Sequence, residues 1–267
     1  MINVAINGSL GRMGLTLLEA ISLNDKTKLG AVFERPSNAH IGTLIESFTP
    51  HYQGDIQLQS EWESVLDDFE VIIDFSSIEG TLETLKKAQK HHKPLVIGTT
   101  GLNDHLPIIE QYALSIPILF APNMSLGVNV LLTLLKQTTQ RLKKLDYDIE
   151  ILEAHHRHKI DAPSGTALKM GEVIAEELGI DYRQDGVFCR SGQTGVRLDN
   201  TIGYQTLRGG DIVGEHTAYF ITDGERLEIT HKASSRMTFA KGAVSAAAWL
   251  VTQPNGLYDI NNLLNSI

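Results

Sequence analysis

Between residues 153 and 167 the chain reads Glu-Ala-His-His-Arg-His-Lys-Ile-Asp-Ala-Pro-Ser-Gly-Thr-Ala. His155 to Lys159 are consecutive side chains able to carry positive charge, in a chain whose formal net charge is −9. Such a cluster in an acidic protein marks a local anion site, and a substrate bearing carboxylates fits it. His155 or His156, with Lys159, also supplies the two proton-handling side-chain types with tunable pKa values. Reduction of a polar double bond needs such a group once hydride has arrived. Ser164-Gly165-Thr166 then opens a helix, whose free N–H groups, with the Thr166 hydroxyl, can bind a carboxylate. Capping by Ser164 is the plainer reading of that tripeptide and is compatible with carboxylate binding. Three other readings of the cluster compete: a metal site, a nucleic-acid patch and a solvated basic turn. Adjacent histidines on a strand point to opposite faces, which argues against His155 and His156 sharing one ion, and no metal is expected. An isolated cluster in an acidic chain argues against nucleic acid. Pro163 and the capped helix argue for a fixed geometry rather than a loose turn.

A second constellation lies at the other end of the chain. Asn7-Gly8-Ser9-Leu10-Gly11-Arg12-Met13-Gly14 follows an apolar run and opens a helix, with the spacing G-x-x-G-x-x-G. Leu10 stands where the commoner dinucleotide fingerprint has its middle glycine, so the pattern is weak alone and gains its force from position. A glycine turn between a first strand and first helix aims backbone N–H groups and a helix dipole at a pyrophosphate. Gly8 makes the turn, Gly11 lets phosphate approach, and Gly14 lets helix and strand pack closely. Glu34, about 20 residues beyond the glycines, would accept hydrogen bonds from adenosine ribose hydroxyls, which favours NADH. Its neighbour Arg35, with Arg12, would pair with a 2′-phosphate, which favours NADPH. Use of both cofactors is the expectation. Gly98-Thr99-Thr100-Gly101 and Ala121-Pro122-Asn123-Met124 end two further apolar runs and would line the nicotinamide half of the same cleft, although ordinary strand–helix turns would read alike.

The elements that must position these residues follow from hydropathy patterning. INVAIN, KLGAVF, EVIIDF, PLVIGTT and IPILFA are short, nearly all-apolar runs separated by helical patterns from about Arg12, Glu79 and Asn103. That alternation predicts an α/β, Rossmann-like, doubly wound parallel sheet covered on both faces. After Ala121 the pattern changes. VNVLLTLLKQTTQRLKKL is an amphipathic helix, and DYDIEILEAHH, VRLDNTIGY, GDIVGEHTAYFIT and ERLEITHKA read as longer strands, the last two joined at Asp223-Gly224. A helix from about Ser164 to Leu178 interrupts them. The second domain is thus expected to be α+β with a mixed, open sheet. The expected boundaries are 1–125 with 236–267 for the dinucleotide domain and 126–235 for a substrate-binding domain. A helix over FAKGAVSAAAWLV and a tail, DINNLLN, would return to the first domain. Closure about junctions near Met124 and Arg236 would bring the glycine turn and the His-rich strand end across one cleft.

Composition sets the outer bounds. Of the 267 residues, 42% are hydrophobic and 21% charged, close to the globular average, so the chain is expected to fold throughout. The acidic balance opposes nonspecific attraction to nucleic acid or anionic membrane. No apolar run approaches the roughly 20 residues needed to span a bilayer. The single Cys189 cannot form an intramolecular disulfide and reads as a partly buried thiol without a role, and MINVAING lacks the regions of a signal peptide, so a cytoplasmic location is expected.

Taken together, these segments resemble the 4-hydroxy-tetrahydrodipicolinate reductase (dihydrodipicolinate reductase) family. EAHHRHKIDAPSGTA is the most specific piece, supported by VAINGSLGRMG, GTTG, APNMSLGVN, RGGDIVGEHT and LEITHKASSRMTFAKGA in the family's order. The resemblance implies hydride transfer from NADH or NADPH to C4 of a cyclic, unsaturated imine dicarboxylate, giving tetrahydrodipicolinate in lysine and diaminopimelate biosynthesis. It also implies that His155 is a proton donor or acceptor and Lys159 a proton donor, with His156, Gly165 and Thr166 on the substrate. Gly8, Ser9, Leu10, Gly11, Arg12, Met13, Glu34, Arg35, Gly98, Thr99, Thr100, Ala121, Pro122, Asn123 and Met124 match its cofactor-binding stretches. A homotetramer joined through the substrate-domain sheets is implied as well. Ser9 and Leu10 in the glycine loop, Ile78 in FSSIEGT and Met124 near the nicotinamide depart from the family's usual residues. Another two-domain dehydrogenase of an amino-acid-like substrate and a non-catalytic dinucleotide sensor are the alternatives.

Overall fold

A computed structural model describes residues 1–266. The chain folds as two compact units, Met1–Leu126 with the segment from Arg236 onward, and Gly127–Ser235. The first unit holds a seven-stranded sheet in the order β12-β6-β5-β4-β1-β2-β3, every pairing parallel. Its strands are β1 (Ile2–Asn7), β2 (Thr27–Phe33), β3 (Leu58–Gln59), β4 (Val71–Asp74), β5 (Leu95–Ile97), β6 (Pro117–Phe120) and β12 (Gly256–Tyr258). Its helices are α1 (Arg12–Ser22), α2 (Ile78–Lys90), α3 (Leu106–Ala113), α6 (Met237–Leu250) and α7 (Ile260–Leu264). This is the Rossmann-like arrangement that the apolar runs predict.

Strand alternation divides the core. Val4, Ile6, Ile73, Val96 and Leu119 pack beneath α1, α6 and α7, while Ala5, Ile72, Leu95, Ile97 and Ile118 pack beneath α2 and α3. Side chains at successive positions point to opposite faces, so a strand covered on both sides must be apolar at every position. Each large side chain so buried contributes about 1.5–3 kcal/mol. Because all the strands run the same way, the turns after β1, β2, β4, β5 and β6 open at one edge of the sheet. The strands β3 and β12, of two and three residues, are too short to show a period and escape the hydropathy reading.

The second unit carries a five-stranded sheet in the order β11-β10-β7-β9-β8. Its strands are β7 (Asp148–His155), β8 (Gly186–Val187), β9 (Ile202–Arg208), β10 (Gly214–Thr222) and β11 (Glu225–Ala233), and its helices are α4 (Leu126–Leu142) and α5 (Gly165–Leu178). Here β7 pairs parallel with β9 but antiparallel with β10, and β10 and β11 form the hairpin at Asp223-Gly224, so the sheet is mixed as expected. Two details differ. The expected strand VRLDNTIGY begins only at Ile202 and runs on to Arg208, because the Arg197 guanidinium folds back onto Asp148 and the carbonyls of Ile149 and Thr201, closing a loop ahead of it. Cys189 is exposed rather than partly buried, just after the two-residue β8.

Ile149, Ile151, Ile202, Tyr204, Ala218 and Phe220 form an apolar floor on which α5 packs through Ala167, Met170 and Ile174. At Gly171 of α5, a Cβ would lie 1.6 Å from the Tyr204 hydroxyl. Helix propensity favours alanine over glycine by about 1 kcal/mol, but the Tyr204 ring is buried and stacked on Phe188 at 4.8 Å and cannot swing away. Overpacking of this kind costs about 1–3 kcal/mol. Gly171→Ala is therefore expected to lower the urea midpoint, measured by circular dichroism; an unchanged or raised midpoint would mean that packing there is looser than described.

Candidate active-site elements

In the first unit the chemistry-bearing residues gather at the carboxyl edge of the parallel sheet. Gly8 adopts φ +77°, and a Cβ there would sit 2.7 Å from the Phe75 carbonyl oxygen. At Gly14 a Cβ would lie 2.3 Å from the Gly8 carbonyl oxygen, so only glycine lets α1 approach its own entry turn. Gly11 is the N-cap of α1 and brings no side-chain cap. The first N–H groups of the helix thus lack the acceptor that a Ser or Asp cap would provide, as a phosphate cradle requires. The Glu34 carboxylate accepts a hydrogen bond from the Leu10 N–H at 3.0 Å, which ties the residue after β2 to the glycine turn.

Two clefts flank this turn. Gly8, Leu10, Gly11, Glu34 and Arg35 line one of about 450 Å³, a volume suited to an adenosine half. Arg12, Met13, Gly98, Thr100, Asn123 and Met124 line the other, of about 740 Å³, which Gly11, Thr99 and Pro122 also border. Ser9 and Ala121 border neither; both are buried, and the Ser9 hydroxyl donates to the Phe33 carbonyl. A nicotinamide dinucleotide fits this uncapped, glycine-lined edge.

The sequence reading overlooks the turn after β4. Phe75 and Ser76 border both clefts, and the Asp74 side chain beneath them is fully buried. Asp74 accepts from Asn7 Nδ2 at 2.9 Å, Ser76 Oγ at 2.7 Å, Thr81 Oγ1 at 3.0 Å and Thr99 Oγ1 at 3.1 Å. One carboxylate thus gathers donors from the ends of β1 and β5, the start of α2 and its own turn. The Thr99 hydroxyl is spent on this internal task. The clue was topological: EVIIDF is one more parallel strand, and its following turn must open at the ligand edge.

In the second unit the helix-facing side of the sheet changes from apolar to polar at the carboxyl end of β7. Register places Thr206, Glu153, His216 and His231 side by side across β9, β7, β10 and β11, with Arg208 beside His155. Glu153 is 1% exposed. It receives Arg208 Nη1 and Nη2 at 2.7 Å each, the Ser164 N–H at 3.0 Å and the Thr206 hydroxyl at 3.2 Å, while His155 Nδ1 stands 2.6 Å from Oε2. Burial by itself would raise the Glu153 pKa; the hydrogen bonds and charges of His155 and Arg208 outweigh it and hold it at about 2. Ser164 caps α5, accepting from the Ala167 N–H at 3.2 Å, and its hydroxyl shares a hydrogen bond with His216 Nε2 at 2.9 Å. Burial, then the neighbouring His155, push His216 down to about 4, so it is neutral at pH 7.

Lys159 pairs with Asp161 at 2.9 Å, and the Asp161 carbonyl takes a further bond from Arg208. His155 ends β7, while His156 lies one residue beyond it and is half-buried. Gly165 and Thr166 open α5, and a Cβ at Gly165 would meet nothing within 4 Å. The structure therefore brings His155, Ser164 and the start of α5 together around Glu153. The sequence alone does not single out Glu153, Arg208 and His216, although Glu153 sits two before His155, the spacing that puts two strand residues on one face. Among the described residues no three His, Cys, Asp or Glu side chains are grouped to hold a metal, and no helix is long and apolar enough to cross a membrane.

Residues 2–124 match the family model "Dihydrodipicolinate reductase, N-terminus", and residues 127–264 match its C-terminus. The chain belongs to the dihydrodipicolinate reductase family. The 4-hydroxy-tetrahydrodipicolinate reductases of Chromohalobacter salexigens and Hahella chejuensis are each 49% identical to it over 265 residues, covering 99% of this chain and 98% and 99% of theirs. Among solved structures, dipicolinate-bound dihydrodipicolinate reductase from Paenisporosarcina sp. TG-14 shares the fold at a TM-score of 0.75 and 24% identity, with 97% of each chain covered. Aspartate semialdehyde dehydrogenase II of Vibrio cholerae shares it more distantly, at 0.54 and 12%, over 94% of this chain and 98% of that one. The family uses a nicotinamide dinucleotide.

The buried row predicts an acid response. His216 binds its proton near pH 6.5 when unfolded but only near pH 4 when folded, so between those values the unfolded state holds more protons. Its contribution, of order 2–3 kcal/mol, is present in full above pH 6.5 and is lost as pH falls towards 4. Glu153 adds a second loss, between the ordinary carboxylate range and about 2. Denaturant titrations should show stability declining from pH 6.5 to 4, and His216→Gln should flatten that segment. An equal slope in the variant would contradict the assignment.

Proposed function

We propose that the chain reduces 4-hydroxy-tetrahydrodipicolinate (dihydrodipicolinate) to tetrahydrodipicolinate, a step of lysine and diaminopimelate biosynthesis. The observation that carries this reading is family membership running through both units, with full-length relatives at 49% identity. When bound, the reduced nicotinamide supplies hydride. The glycine turn from Gly8 to Met13 holds the pyrophosphate, its free donors being the Arg12 and Met13 amides at the uncapped start of α1, and the turns at Gly98 to Thr100 and Ala121 to Met124 flank the nicotinamide. Glu34 suits ribose hydroxyls and Arg35 a 2′-phosphate, and both border the same cleft, which supports use of NADH and NADPH alike.

His156, Gly165 and Thr166 bind substrate carboxylates, aided by the positive end of α5. Once hydride has added, an electron-rich carbon of the substrate must gain a proton. His155 or Lys159 delivers it, and Lys159 also offsets carboxylate charge. Asp161 holds the Lys159 ammonium at 2.9 Å. A homotetramer joined through the second unit's sheet and a cytoplasmic location belong to the same reading.

An assay coupled to dihydrodipicolinate synthase tests it. Both reduced cofactors should be oxidised, with kcat/KM values within about a hundredfold of each other; binding of reduced cofactor without oxidation would favour a sensor, and turnover only with another substrate would favour a different dehydrogenase. Lys159→Ala should lower turnover by about 10² or more, and wild-type turnover in that variant would remove Lys159 from the chemistry.

A further inference from the structure

The row beneath His155 does more than support it. Glu153 and His155 lie two apart on β7, hence on the same face, and Oε2 stands 2.6 Å from Nδ1. Every other group bonded to Glu153 is a donor: two guanidinium nitrogens of Arg208, the Ser164 N–H and the Thr206 hydroxyl. A carboxylate so surrounded is ionised and can only accept. The 2.6 Å contact then requires the proton to reside on Nδ1. Neutral His155 must therefore carry a bare Nε2, and that nitrogen has no hydrogen-bond partner among the described residues.

The far side of the ring is shaped to match. Gly214, the first residue of β10, lies beside His155, and a Cβ there would come within 3.1 Å of Nε2. Any larger residue would crowd the atom left open. His216 meets the ring edge-to-face at 5.1 Å, which limits its rotation. The groups facing His155 are thus Glu153 on its own strand, Arg208 on β9 and His216 on β10.

We infer that Glu153, clamped by Arg208, is a positioning residue that fixes the tautomer of His155, making Nε2 the only atom through which this histidine exchanges a proton with substrate. The inference rests on the reading of His155 as a proton-handling group. The fixed carboxylate also stabilises the imidazolium that forms when Nε2 takes up a proton, and Gly214 keeps that nitrogen uncovered. An orienting carboxylate behind a histidine base follows the same logic wherever a ring nitrogen must be presented in one protonation state.

Glu153→Gln gives a sharp test because the carboxamide has one acceptor and one donor end. The Oε1 position, with its donors from Ser164, Thr206 and Arg208, demands the carbonyl. The amide nitrogen then takes the Oε2 place, where it displaces the Arg208 Nη1 bond, faces His155 Nδ1 and forces the ring proton onto Nε2. In 15N-histidine NMR spectra at a pH where His155 is neutral, the wild-type protein should show a protonated Nδ1 and a bare Nε2, and Glu153→Gln should show the reverse. Its kcat should fall by about 10²-fold or more with KM changed less than about threefold. Combining it with His155→Ala should cost no more than His155→Ala alone. Gly214→Ala should keep the wild-type tautomer yet lower kcat.

A wild-type ring protonated on Nε2 overturns the proposal, as does full turnover in either Glu153→Gln or Gly214→Ala. The wild-type spectrum decides even if Glu153→Gln does not fold. If wild-type protein fails to oxidise reduced cofactor with dihydrodipicolinate, the proposed reaction fails instead, and the tautomer measurement stands apart from that result.

Discussion

A buried carboxylate is costly unless donors surround it, and in each unit the chain places one where strand ends converge. Glu153 lies beneath α5 at the end of β7 and collects Arg208, Ser164, Thr206 and His155. Removing one partner of such a buried pair typically costs about 3–5 kcal/mol, because the other charge is left in low dielectric. The arrangement is therefore all-or-none. Once Arg208 is in place on β9, the carboxylate is ionised, the Ser164 amide is anchored, the start of α5 is set, and the His155 ring has one orientation.

Asp74 serves the first unit in the same way with neutral donors. Asn7 and Thr99 come from other strand ends, Ser76 and Thr81 from the turn and helix that follow Asp74, and their side chains meet at one pair of oxygens. The consequence is a rigid floor under the turns that border the two clefts. In both units polar side chains that could have faced a ligand are instead used to hold backbone in position. Thr99 and Ser164 show the pattern: each hydroxyl is committed within the protein, and what remains for a ligand is main-chain N–H and the residues standing on top.

The same division of labour explains how Ser9 and Leu10 fit the glycine turn. Ser9 is tolerated in the glycine turn because its side chain is buried and bonds the Phe33 carbonyl rather than facing a cleft. Leu10 is tolerated because the contribution of that position is its N–H, which Glu34 accepts. The positions that cannot vary are those where a Cβ would strike backbone. Gly14, 2.3 Å from the Gly8 carbonyl, is the clearest.

Much was legible from order and period alone. Apolar runs such as EVIIDF and PLVIGTT predict strands buried on both faces, and the parallel sheet follows because helices separate them. The turn Gly8 to Gly14, the capped start of α5 and the cluster from His155 to Lys159 were visible because each is continuous in sequence. What only the tertiary structure decided are the relations between distant residues: Arg208 reaching Glu153, His216 reaching Ser164, Asn7 and Thr99 reaching Asp74, Glu34 bonding Leu10. Strand register sets those meetings, and register is settled by packing of whole sheets against helices rather than by any local segment. A single strand shows which residues share a face; it cannot show which neighbour the sheet will lay beside them.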